Sequence, residues 1–161
     1  MVRNFWLVAV GVILFLTGCE TPRGGAKTDG ESARVVAVTA EHLGWITDVQ
    51  WTLERMVVGG RAYSLTGDRP YVQFGPDGRV TGFGSVNRFF GLMQIEANGR
   101  VRWPEALAST RMAGPLPLMR QEDAFMKAIQ TVERWSIEGI HLYGRDAEGL
   151  TELGFRAPVQ Q

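Results

Sequence analysis

The sequence predicts a mainly β domain with one helix: a small, strongly curved antiparallel sheet or barrel, plugged or flanked by an amphipathic helix in the C-terminal half. Three observations predict it. From Gln50 to Trp103, short runs of alternating apolar residues are separated by glycine turns. One stretch, Leu118 to Val132, carries a helical period, and three further alternating runs follow it, ending at Phe155.

In Gln50 to Val58, residues Trp51, Leu53 and Val57 alternate with Thr52, Glu54 and Met56. That is a half-buried strand with Arg55 as the one break in its apolar face, ended or bent by Gly59-Gly60. Tyr71–Phe74 and Arg79–Phe83 flank Gly75-Pro76-Asp77-Gly78, where proline fixes one dihedral and Gly78 takes a positive φ, so a hairpin is expected. Phe89–Glu96 and Arg100–Trp103 flank Ala97-Asn98-Gly99, and Asn-Gly between apolar runs is a strong hairpin signal. Leu107–Met112 reads as another strand, and Gly114-Pro115-Leu116-Pro117 as a break. In the helix, Leu118, Phe125, Ile129 and Val132 share a face, with Met126 beside it and Arg120, Gln121, Asp123, Lys127 and Gln130 elsewhere. Trp135 with Ile137, Ile140 with Leu142, and Leu153 with Phe155 give three closing strands.

The 161 residues leave room for one ordinary domain once a targeting segment is set aside. Lysine plus arginine equal aspartate plus glutamate at 17 each, which argues against nucleic acid as a partner. Cys19 is the only cysteine, so an intrachain disulfide and a cysteine-based zinc site are excluded. His42 and His141 lie far apart in sequence, and no metal or cofactor is expected.

Met1 to Cys19 has one positive residue, Arg3, then an apolar run from Phe5 to Leu16, then small residues, the outline of a secretory signal. The run is shorter than the roughly 20 residues that cross a bilayer as a helix. Its end, Leu16-Thr17-Gly18-Cys19, resembles the lipobox of bacterial lipoproteins. The resemblance implies a signal peptide over 1–18 and a Cys19 that receives lipid on its sulfur and its amino group. Each buried methylene contributes roughly 0.8 kcal/mol, so several acyl chains hold a protein on a bilayer. Glu20 stands where an aspartate would retain enteric lipoproteins at the inner membrane, which leans toward the outer membrane, facing the periplasm. From Glu20 to about Ala33 the Gly, Pro and charged residues have the composition of a solvated tether. Arg34–Thr39 fits either a short strand or an apolar end of that tether, drawn here over residues 19–43, with folding proper expected near Ile46.

Trp51-Thr52-Leu53, then Val80-Thr81-Gly82-Phe83-Gly84-Ser85-Val86-Asn87-Arg88-Phe89-Phe90-Gly91, then Leu107-Ala108-Ser109-Thr110-Arg111-Met112-Ala113-Gly114-Pro115, then an amphipathic helix ending near a tryptophan: this order resembles the META domain, the HslJ-like family, over a domain of residues 44–158. The resemblance implies a compact lipocalin-like barrel or half-barrel with one helix, common in envelope lipoproteins and associated with stress responses. Many members carry Gly-Cys-Asn where this chain has Ser85-Val86-Asn87, and Met-Ala-Cys where it has Met112-Ala113-Gly114. Joint loss is expected if those thiols work as a pair, and any redox role of relatives is closed to this chain.

Candidate contacts for a ligand or protein partner are Asn87, Arg88 and Arg111. Asparagine at a turn is usually structural, and arginines at strand ends are usually solvated. Phe89 and Phe90 must point to opposite faces of a regular strand, and an exposed aromatic would mark a contact surface. Gly82-Phe83-Gly84 opens no helix, so it is not a phosphate loop. Ser85 and Ser109 lack the flanks of a nucleophile elbow. No catalytic residue is expected. The reading is a non-catalytic envelope lipoprotein, a stress- or envelope-related binding or structural module that binds a protein or envelope component. The alternative is a carrier of a small apolar ligand, which needs a hollow among Trp51, Trp103, Trp135, Phe74 and Phe155.

Overall fold

The computed structural model describes residues 34–159. The expected signal peptide over 1–18, the acylation site Cys19 and the tether up to residue 33 lie outside the described residues. In chain order the strands are β1 (Val36–Ala37), β2 (Trp51–Val58), β3 (Arg61–Tyr63), β4 (Tyr71–Phe74), β5 (Arg79–Phe83), β6 (Arg88–Leu92), β7 (Gln94–Ile95), β8 (Val101–Arg102) and β9 (Ala108–Ser109). Helix α1 (Leu116–Thr131) follows, then β10 (Arg134–Glu138), β11 (His141–Arg145) and β12 (Glu152–Arg156).

Ten strands form one antiparallel sheet in the order β1-β10-β11-β12-β2-β4-β5-β6-β9, with β3 paired to the second half of β2. The tight β2–β3 link is Gly59-Gly60, both at positive φ, the backbone a two-residue hairpin turn demands. Strands β7 and β8 form a separate ribbon. The two edges, β1 and β9, do not pair with each other, so the sheet is not closed. It is nevertheless strongly curved. Strands β10 and β4 stand four places apart in the order, roughly 19 Å in a flat sheet, yet Trp135 and Phe74 meet edge to face with ring centroids 5.3 Å apart.

The concave side is filled by a run of rings. Phe89 of β6 meets Phe125 of α1, Phe125 meets Phe155 of β12, and Phe155 meets Trp135 of β10, at centroid separations of 5.8, 6.3 and 6.0 Å. All are essentially buried, along with Phe74 and Trp51. Each such side chain contributes roughly 1.5–3 kcal/mol by leaving water, and edge-to-face pairs add about 0.5–1.5 kcal/mol. Helix α1 packs on β2 and β12 through Phe125, Ala128 and Ile129.

Several expectations need correction. The tether drawn to residue 43 is too long: Val36 and Ala37 pair with β10, Val38 is fully buried with its N–H donating to the Trp135 carbonyl at 2.9 Å, and a 3-10 helix spans Ala40–Trp45. In β2 the core residue is Met56, with Val57 only half-buried. The register shifts opposite Gly154/Phe155, so Glu54 and Arg55 both face out; a bulge reverses the alternation beyond it.

The strand expected over Phe89–Glu96 breaks at Met93. Its N–H donates to the Gly78 carbonyl at 2.8 Å, and its buried sulfur accepts the Trp135 indole N–H at 3.2 Å. That anchor turns the chain inward and starts the β7–β8 ribbon. Helix α1 begins at Leu116, earlier than Leu118, with Pro117 in its first turn, where no N–H is required. The strand expected over Leu107–Met112 shortens to β9 because Thr110 and Met112 bond to Asn87 instead.

Candidate functional site

The motif stretch folds into a turn between β5 and β6 that the helix clamps from inside. Gly84 N–H donates to the Asn87 carbonyl at 2.7 Å, and Ser85 holds φ 118°. The turn aims two successive N–H groups, of Val86 and Asn87, at one point. Consecutive main-chain N–H groups of this kind form an anion cradle. Here the anion is the protein's own: Glu122 Oε2 accepts both, at 2.9 and 2.6 Å. Gly84 permits that approach, since a Cβ there would lie 2.7 Å from Glu122 Cγ and 2.8 Å from Oε2.

Asn87 is the hub of the turn. Its Nδ2 donates to Glu122 Oε1 at 2.7 Å and to the Met112 carbonyl at 3.2 Å, while its Oδ1 accepts from Thr110 Oγ1 at 2.8 Å and Met112 N–H at 2.7 Å. The adjacent Gln121, fully buried, donates from Nε2 to Ser85 Oγ at 2.8 Å and to the Thr66 carbonyl at 3.1 Å, and accepts Thr66 N–H at 2.8 Å. Two consecutive helix residues thus tie the turn, the Thr66 loop and the chain leading into α1 together. Sequence reasoning placed Gln121 off the apolar face and did not single out Glu122. Gln121 stands four residues before Phe125, which puts it on the buried stripe; for Glu122 no local signal existed, because its partners lie 35 residues away.

Val86 and Gly114, the two positions where many relatives carry cysteine, are neighbours. A Cβ on Gly114 would stand 3.4 Å from Val86 Cβ and 2.8 Å from both Val86 methyls. The valine therefore occupies the space a second side chain would need.

Of the three candidate contacts, Asn87 is 6% exposed with its polar atoms engaged internally, whereas Arg88 and Arg111 are exposed. Arg88 shares main-chain bonds with Thr110, and among the described residues neither arginine forms an ion pair. The structure does not bring the three to a common point. Ser85 is buried under Gln121 and Ser109 lies in β9. His42 Nδ1 lies 3.2 Å from Thr39 Oγ1 within one turn of the 3-10 helix. His141 Nε2 stands 3.9 Å from Glu54 Oε2 on the outer sheet face. Among the described residues, no group of three or more His, Cys, Asp or Glu side chains is placed to hold a metal ion, and no helix is long and apolar enough to cross a membrane.

Of the five aromatics that would line a carrier's hollow, Trp51, Trp135, Phe74 and Phe155 are buried in the core. Trp103 is half-buried at its margin, its indole N–H donating to the Val132 carbonyl at 3.1 Å. Among the clefts on the outside of the described residues, two differ in character. One, about 560 Å³, is charged, with Arg100 paired to Glu133 at 3.5 Å and Arg102, Asp146 and Glu148 around Trp103. Burial pushes the Asp146 carboxyl up, but donation from the Thr151 main chain and hydroxyl and from the Leu150 and Gly149 main chain outweighs it, leaving the group below its ordinary value. Its Oδ1 is sealed from solvent without a hydrogen-bond partner among the described residues. The other cleft, about 540 Å³, is apolar and lies on the outer face of β5 and β6, around Phe90, Leu92 and Ala108 with Arg79 and Glu105 at its margin.

An open, curled antiparallel meander wrapped on one helix, with the β5–β6 turn locked to the helix start, defines a class of small β domains. The META domain family model matches residues 45–157, and the chain belongs to that family. The chain is also similar to three solved structures. An NMR structure of a protein from Burkholderia xenovorans is 18% identical, with a TM-score of 0.62 over 83% of this chain and 97% of that one. A second NMR structure is 21% identical, with a TM-score of 0.53 over 74% and 94%. A crystal structure of a DUF4847 family protein from Bacteroides vulgatus is 12% identical, with a TM-score of 0.51 over 72% and 96%. At these identities the likeness is one of fold. The comparison with curated proteins returns no match.

Proposed function

We propose that this META domain protein is a non-catalytic envelope module, acylated at Cys19 and exposed to the periplasm from the outer membrane, that acts in stress or envelope maintenance by surface contact. One observation carries the reading: the polar groups of Ser85, Val86 and Asn87 at the centre of the family motif are engaged by Glu122, Gln121 and Thr110 within the fold. What remains to recognise a partner is the outer surface. The carrier alternative requires a hollow where Phe74, Trp135 and Phe155 touch one another, and the filled interior weighs against it.

The test is Cys19→Ser in cells. The expected product is an unacylated chain that keeps its signal segment or appears in the soluble fraction, while the parent protein carries the acyl mass and floats with membranes. Unchanged mass, acylation and sedimentation in the variant would overturn the anchor. In-cell crosslinking of the acylated protein is expected to recover a specific envelope partner; recovery of bulk lipoproteins alone would overturn the binding role.

A further inference from the structure

Strand β6 carries two large apolar side chains on its outer face that the fold does not use. Phe90 is 57% and Leu92 50% exposed, and as residues i and i+2 they point the same way. Across the sheet, Thr81 faces Phe90 and Arg79 faces Leu92 on one side, and Ala108 faces Phe90 on the other. These groups line the 540 Å³ apolar cleft. Arg88 precedes Phe90 on the same face, exposed and without an ion pair among the described residues. Its neighbour across the edge, Thr110, leads into the exposed Arg111. The patch is an apolar centre with Arg88 and Arg79 along its margin, Arg79 standing 3.8 Å from Asp77, and Glu105 as the one acid lining the cleft. That is the chemistry of a surface that rests on anionic lipid headgroups, aromatic and aliphatic tips reaching the acyl boundary and guanidinium groups meeting phosphate.

We infer that this β5–β6 face docks on the bilayer to which the chain is anchored, Phe90 and Leu92 entering the interface and Arg88 meeting lipid phosphate. The inference rests on the acylation of Cys19 proposed above. Covalent length makes the docking geometrically open: 16 residues separate Cys19 from Val36, which span at most roughly 60 Å, while a domain of this size measures about 36 Å across. Any face can therefore reach the membrane. Two partly exposed side chains and a few arginines hold a free protein on lipid only weakly; with the protein already tethered, the second contact is intramolecular and a weak affinity suffices.

The test uses the acylated full chain, in which Cys19 is blocked by lipid and a new cysteine is the only free thiol. Ala108→Cys, on the patch, and Ile140→Cys, exposed at the β10–β11 turn, are each given a nitroxide label. They are placed in vesicles of phosphatidylethanolamine and phosphatidylglycerol. The label at 108 is expected to lose collisions with an aqueous nickel chelate by roughly threefold or more relative to the label at 140, and Phe90→Ser with Leu92→Ser is expected to restore them. Equal accessibility at both sites in protein that floats with the vesicles overturns the docking and leaves the anchor standing. Protein that does not float overturns the anchor and the docking with it. Protection at 108 that disappears when the protein is diluted among more vesicles identifies a second copy of the chain as the occupant and also overturns the inference.

Discussion

The turn at residues 84–87 and the outer face of β6 lie within a few residues of each other and differ in every physical respect. In the turn, Ser85 and Asn87 are buried and their polar groups are met by Gln121, Glu122, Thr110 and Met112. On the outer face, Phe90 and Leu92 are half or more exposed and lie outside the buried core of the described residues. The 84–87 part of the family motif is thus spent on holding the sheet to its helix, while Arg88 and Phe90, a few residues on in the same motif, stand on the outer face.

The sharpest way to break that contrast is at Asn87. Asn87→Ala removes an acceptor for Met112 N–H and the Thr110 hydroxyl and a donor for Glu122 and the Met112 carbonyl, four part-buried hydrogen bonds made by one buried side chain, and is expected to lower stability by about 3 kcal/mol. Urea denaturation followed by tryptophan fluorescence measures it. A loss below about 1 kcal/mol would mean that the turn is not the lock described here.

The paired sites Val86 and Gly114 give the next largest effect, with the opposite sign. The virtual Cβ separation of 3.4 Å is within a few tenths of an ångström of the range disulfides adopt. Val86→Cys with Gly114→Cys is expected to oxidise spontaneously and to stabilise the folded state by roughly 2–4 kcal/mol relative to its reduced form. Thiol titration and thermal unfolding with and without reductant check both parts. Persistent free thiols would show that the helix approach holds the two backbones wrongly for a bridge.

Glu122→Gln keeps shape and removes charge, so one amide N–H must face either Asn87 Nδ2 or a main-chain N–H. A destabilisation of about 1–3 kcal/mol is expected, and it should be largely absent when Asn87→Ala is already present, which a double-mutant cycle in urea would reveal.

Asp146 tests whether inward-turned polar chemistry extends to the β11–β12 loop. Its folded-state acidity is raised, so its ionised form favours the native state above the ordinary carboxyl value of 3.8, and that contribution is lost as pH falls through the lower folded-state value. Asp146→Asn is expected to be less stable than the parent at pH 7, with the gap closing as pH falls below 3.8. A gap independent of pH would assign the effect to shape instead of charge.

How much of this was legible depends on the range of the interaction. The Pro-Asp-Gly and Asn-Gly turns and the three closing strands are local, written in turn residues and alternation, and the structure places them as read. The bulge at Glu54 and the break at Met93 are set by partners on other strands, Gly154 and Trp135, and no local pattern announces them. Asn87 reads as a structural turn residue from its type alone, and its six-per-cent exposure agrees. Arg88 and Arg111 share only the neighbourhood of a motif, and both are exposed, without an ion pair among the described residues. Glu122 was invisible because helical periodicity assigns a glutamate to solvent unless something across the fold offers it two N–H groups.

The smallest expected effect bears most directly on the contrast. Phe90→Ser with Leu92→Ser removes two large apolar side chains from one strand, a change that in the core would cost several kcal/mol. Both side chains stand outside the buried core, so the unfolding free energy measured in urea is expected to change by no more than about 0.5 kcal/mol. Some loss of strand propensity opposes the removal of exposed apolar surface, and the two terms are of similar size. A stable, unchanged fold would mean that Phe90 and Leu92 are kept for something other than folding. A drop of 2 kcal/mol or more would mean that they pack on part of the chain beyond residues 34–159, and the outer face would then belong with the turn as structure.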